Sequence, residues 1–143
     1  MSNLKYELEK QLSYCHVMDN FRAAVYVSSK DKISCVKNIL DDIFDNSFPI
    51  KNIRYVFNQY QTFIEFPNGS RLKIIVANDS SKGNKTNGCL IDEDISNDIK
   101  RMIVYPQLFP RIISIEDFKL ESWDNVKKRV VEVEIKTKEN NNE

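Results

Sequence analysis

Leu4, Leu8 and Leu12, with Tyr14 beside them, recur at the spacing of one helical face. Ser2 or Asn3 is placed to cap that face and Glu7 and Glu9 lie early in it, so the pattern predicts a helix over 3–16. The apolar run Ala23-Ala24-Val25-Tyr26-Val27 ends in Ser28-Ser29, which predicts a buried strand and a polar turn. From Asp31, a capping residue, Ile33, Val36, Ile39, Leu40 and Ile43 repeat at three and four residues and predict an amphipathic helix over 31–44, closed before Asn46-Ser47-Phe48-Pro49. Ile53, Tyr55 and Phe57 alternate with Arg54 and Val56 as in a strand. Two further apolar segments, 62–66 and 71–76, flank Pro67-Asn68-Gly69-Ser70 and predict an antiparallel hairpin over 61–77 with Gly69 at positive φ. Cys89-Leu90-Ile91 reads as a strand running into Asp92-Glu93-Asp94, followed by a helix over 96–105 that Pro106 closes. Residues 111–115 form a short apolar strand, and 116–125 a turn or short helix. Val131, Val133 and Ile135 alternate with Glu132, Glu134 and Lys136, the pattern of a half-wet edge strand.

The pattern is that of one α/β domain over 1–137 with a disordered polar tail over 138–143. Fifteen Lys against six Arg and sixteen Ile against eight Leu are the usage of an AT-rich genome, which suits a bacteriophage or a low-GC bacterium. Twenty-one basic residues balance 21 acidic ones, so the chain lacks the net positive charge of a general nucleic-acid binder, and nucleic acid is not an expected partner of the chain alone. Three scattered cysteines, Cys15, Cys35 and Cys89, make neither a disulfide framework nor a zinc site and fit a reducing cytoplasm. No apolar run approaches the ~20 residues of a membrane span, and no signal-peptide core is present at the N-terminus.

Candidate chemistry concentrates late in the chain. All three glycines fall between 69 and 88, so backbone freedom is gathered around one hairpin and one polar loop. Cys89-Leu90-Ile91-Asp92-Glu93 has the order of a Walker B element, in which the first acid holds magnesium through its water shell and the second polarises the attacking water. A strand that simply ends in a solvated acidic turn has the same pattern. His16 is the single histidine and sits at a helix end, where a surface role is expected. Lys127-Lys128-Arg129 reads as a solvated basic face, and Tyr55, Phe57, Tyr60 and Phe63 as sheet core with a few exposed rings.

The run from Phe63-Ile64-Glu65-Phe66-Pro67-Asn68-Gly69-Ser70 through the polar loop Asn78-Asp79-Ser80-Ser81-Lys82-Gly83-Asn84 to Cys89-Leu90-Ile91-Asp92-Glu93 resembles the middle of the motor ATPase of phage large terminase subunits. Ala24-Val25-Tyr26-Val27-Ser28-Ser29 looks like that family's second core strand, and Arg111-Ile112-Ile113-Ser114 like the strand ending in the coupling-motif hydroxyl. The resemblance covers about residues 4 to 115 and implies an incomplete RecA-like core, a mixed sheet flanked by helices with a protruding antiparallel hairpin. It implies Asp92, Glu93 and Ser114 as catalytic residues, Ser80, Lys82 and Gly83 as loop residues, and Asp92 as a magnesium ligand. No G-x-x-x-x-G-K-[ST] loop precedes them, as though the chain starts just past the P-loop, and no terminase nuclease domain follows. Without a phosphate cradle no cofactor is expected for the chain alone, and Mg-ATP only if a partner supplies a P-loop. The expected function is that of a terminase-ATPase-like protein, catalytically silent alone, acting through a partner or as a split piece of a DNA-packaging motor. The alternative is a small phage-encoded binding protein that sequesters a host protein or a small ligand. Because a strand of the implied sheet is missing, a homo-oligomer is expected, buried along a sheet edge or an apolar face near 53–63.

Overall fold

The computed structural model describes residues 3–46, 52–78, 81 and 83–137. Helix α1 (Leu4–Val17) starts at Asn3, whose side chain accepts the Tyr6 N–H at 3.1 Å, and its Leu4, Leu8, Leu12 stripe is buried. Strand β1 (Arg22–Val27) is buried from Ala23 onward. Helix α2 (Asp31–Asn46) buries Val36, Leu40 and Ile43. Then come β2 (Arg54–Phe57), β3 (Thr62–Glu65), β4 (Arg71–Val76) and β5 (Gly88–Asp92). After β5 the short helix α3 (Asn97–Ile99) widens into a π-turn (Lys100–Val104) and tightens into a 3-10 turn (Tyr105–Gln107). The chain ends its regular structure with β6 (Ile112–Ser114), β7 (Lys119–Leu120), α4 (Trp123–Lys128) and β8 (Val130–Val133).

Six strands form one mixed sheet in the order β2-β3-β4-β1-β5-β8, with β4, β1, β5 and β8 parallel. β2, β3 and β4 join through antiparallel pairs. One face packs on α1 and α2 through Ala23, Val25, Val27, Leu72, Ile74, Ile64 and Leu90. The opposite face is covered over β1 and β5 by the 95–108 segment, where Ala24, Tyr26, Cys89 and Ile91 meet Ile95 and Val104.

The hairpin over 61–77 exists, with Gly69 at φ +84°, but it does not protrude. Leu72 and Ile74 are apolar on the helix side, so β4 is drawn into the sheet as the parallel neighbour of β1, in register from Arg22↔Arg71 to Val27↔Val76. The strand expected at 111–115 is also placed differently. β6 pairs only with β7 in a separate two-stranded ribbon, and Ile112 and Ile113 are exposed. The slot beside β5 is filled by β8, an edge strand as its charge alternation predicts, with Val133 buried and Glu132 exposed. The parallel ladder with β5 is preceded by Arg129, expected on a solvated face but buried. Its guanidinium donates to the Asn87 carbonyl at 3.0 Å and to Glu121 and lies 5.2 Å from the Phe21 ring, while its carbonyl accepts the Gln11 amide at 2.9 Å. Gly88 leaves little room at this junction, since a Cβ there would meet side-chain atoms of Arg129, Gln11 and Phe21 at 3.0 Å. The polar tail lies outside the described residues.

Candidate functional site

In parallel α/β sheets ligands gather at the carboxyl ends of the strands, where neighbouring connections diverge. Here β1 ends at Val27 and β5 ends at Asp92, side by side, and the connections run from β1 into α2 and from β5 into the Glu93-Asp94 turn. Asp92 is fully buried among three donors. Its carboxylate accepts the Ser28 N–H at 2.8 Å, the Asp94 N–H at 3.1 Å, and the Lys32 ammonium at 3.1 and 3.0 Å on its two oxygens. Lys32, in the first turn of α2 and 5% exposed, also reaches Asp94 at 2.5 Å. Burial alone would raise the Asp92 carboxyl, but hydrogen bonds from Ser28, Asp94 and Lys32 hold it below the ordinary carboxylate value. Burial alone would lower the Lys32 ammonium, and Asp94 and Asp92 outweigh it and raise it.

Such an arrangement is an ion pair closed on itself. The charge of Asp92 is met by the buried Lys32 ammonium. Glu93 is exposed and its N–H extends the ladder to the Val133 carbonyl at 2.9 Å. Ser114 stands apart from both. It lines a groove with Asp19 and Arg22 at the amino end of β1, whereas Asp92 lies at the carboxyl end of the parallel β5. Its hydroxyl accepts the Asp117 N–H at 3.2 Å in the β6–β7 turn. Gly83 has φ +94° in an open loop, and Ser80 and Lys82 lie outside the described residues. Among the described residues no group of three or more His, Cys, Asp or Glu is arranged to hold a metal ion. Nor is any helix among them long and apolar enough to cross a membrane.

Lys32 and Ser28 are the site members that the motif pattern passes over. Lys32, Val36, Leu40 and Ile43 share one buried face of α2, and a lysine on a buried stripe requires a counter-charge. That signal is present in the sequence and points to an acid at a neighbouring strand end. No family model, curated protein or solved structure matches this chain.

Proposed function

We propose that the chain is a terminase-ATPase-like α/β protein of phage origin that does not hydrolyse nucleotide and acts in the host cytoplasm by binding a partner. The observation that carries this reading is the Lys32 ammonium on Asp92, since a carboxylate saturated by a lysine and two backbone N–H groups is not free to hold magnesium water. The strand order supports it further: β4, β1, β5 and β8 lie parallel as in part of a RecA-like core, and β8 covers the side of β5 that a missing neighbour would leave open. Partner contact falls to the β6–β7 ribbon, where Ile115 and Phe118 are 79% and 87% exposed beside Ile112, Ile113 and Leu120. The test is phosphate release from Mg-ATP by the purified chain, with no turnover above buffer expected. Turnover that Asp92→Asn abolishes overturns the reading. A second reading, sequestration of a small ligand, is favoured by an open cleft on the sheet face that the 95–108 segment leaves uncovered and by another that reaches the start of α2 through Lys30, Ile33 and Ser34.

A further inference from the structure

The register of β1 and β4 places Arg22 opposite Arg71 and Ala24 opposite Lys73, all on the face away from α1 and α2. On β2 and β3 the same face carries Arg54, Val56, Phe63 and Glu65. Among these strand residues Glu65 is the single carboxylate, and Arg54 and Arg71 share it, at 3.5 and 2.5 Å, while both guanidiniums lie over the Phe63 ring. The remaining cations are left over. Among the described residues no carboxylate pairs with Arg22, Lys73 or Lys85: Lys73 has the Asn84 amide oxygen at 3.3 Å, and Lys85 rests 4.9 Å from the Phe109 ring. Arg22, Arg71, Lys73 and Lys85 surround a cleft of about 410 Å³ floored by Ala24 and Ile75. The adjoining groove shares Arg22 and Lys85 and is lined also by Asp19 and Glu116. A chain with no net charge has thus segregated four cations around one cavity with a small apolar floor.

We propose that this cleft binds the phosphate group of a phosphorylated ligand. The cluster is built for an anion, because like charges held together repel until one enters. The Lys73 ammonium is pushed below its ordinary value by burial and then by Arg71 and Arg22, a cost that a bound phosphate reverses. The Arg22 guanidinium on β1 can grip a phosphate through paired N–H donors, with Lys73 and Lys85 adding point charges and Arg71, held by Glu65, adding its field from the neighbouring strand. The cavity lies in the size range of small-ligand sites, and the half-buried Ile75 leaves a small apolar surface for an organic body beyond the phosphate. It is on the opposite sheet face from the Lys32–Asp92 pair and uses neither residue.

The proposal rests on the binding role above only in naming what is bound. The experiment is titration of the full chain, without magnesium and at low salt, with inorganic phosphate, a nucleoside monophosphate and a ten-nucleotide single strand, followed by amide NMR shifts and heat. Shifts should map to residues 22–24, 71–75 and 83–86. Arg22→Gln and Lys73→Gln should each weaken binding roughly ten-fold or more, the worth of a charged hydrogen bond. Arg22 is exposed, so an unchanged thermal melt of Arg22→Gln separates loss of the site from loss of the fold. A monophosphate that binds tighter than phosphate, with the oligonucleotide no tighter, assigns a soluble ligand. A tighter oligonucleotide whose affinity falls steeply with salt assigns a nucleic-acid backbone. Absence of shifts with every probe at about 10 mM, or affinities unchanged in both variants, overturns the site. That outcome leaves the binding reading intact, whereas Asp92-dependent Mg-ATP turnover overturns the reading whatever the cleft does.

Discussion

Replacing Lys32 with methionine keeps the aliphatic stem on the α2 stripe and removes only the ammonium. Asp92 would then be fully buried with its two backbone donors, Ser28 and Asp94 N–H, and no opposing charge. Breaking one side of a buried pair costs about 3–5 kcal/mol, and the surviving backbone donors put this case near ~3. In a domain of this size that lowers Tm by roughly 10 °C. The pH dependence is the sharper signature. In the wild type the depressed Asp92 carboxyl contributes stability that is fully present above its unfolded value of about 4 and is lost as pH falls through the lower folded value. In Lys32→Met the lowering by the ammonium is lost while burial and the Ser28 and Asp94 hydrogen bonds remain, so the folded carboxyl rises from its wild-type position and less stability is left to lose as pH falls. The gap between the two melts therefore narrows from pH 7 toward pH 3, and Lys32→Met/Asp92→Asn recovers much of the loss at pH 7. Thermal melts by circular dichroism across that range measure both. A Tm change under about 2 °C at pH 7, or a gap that does not vary with pH, refutes the account of the pair.

Gly69→Val should destabilise the domain by ~1 kcal/mol or more, because φ +84° strains a β-branched residue and a Cβ would stand 2.2 Å from the Asn20 Oδ1; a denaturant melt matching the wild type would contradict it. Cys15 and Cys89 are buried with thiols pushed up to about 12, and Cys35 is half-buried, so a thiol reagent on the native protein should label one cysteine per chain, and prompt labelling of all three would show the core to be open. Light scattering at micromolar protein should return a mass above 16.8 kDa, reduced in Phe118→Asp; a 16.8 kDa species up to near-millimolar concentration would rule out self-association through the β6–β7 ribbon.

Elements whose buried stripe is local were legible in the sequence. The Leu4-Leu8-Leu12 face, the Ala23–Val27 run and the Pro67–Ser70 turn each carry their own period or turn chemistry, and the structure has α1, β1 and the β3–β4 hairpin there. Placement was less legible than existence. Nothing in residues 111–115 distinguishes an interior strand from an exposed ribbon, since Ile112, Ile113 and Ile115 are apolar in either case and only the competition with β8 for the edge of β5 decides. Arg129 looked solvated because its neighbours Lys127 and Lys128 are, while its partners Glu121, Asn87 and Phe21 are distant in sequence or on other elements. At the candidate site Asp92 was readable from the apolar run before it, and Lys32 only from its position on the α2 stripe. The basic cleft needed the β1–β4 register, which pairs Arg22 with Arg71 across 49 positions and has no local signature.

The Gln11–Arg129 hydrogen bond spans 118 positions, and β5 gains its outer neighbour only from residues 130–133. During synthesis, therefore, β1 through β4 and both long helices can assemble while β5 still shows one bare edge to the surroundings. That interval favours capture by a chaperone or by a nascent sister chain, and the closing step must bring together the most separated parts of the molecule. Substitutions at Gln11, Gly88 or Arg129 are thus expected to lower the yield of folded protein in cells more than their effect on the finished fold would indicate.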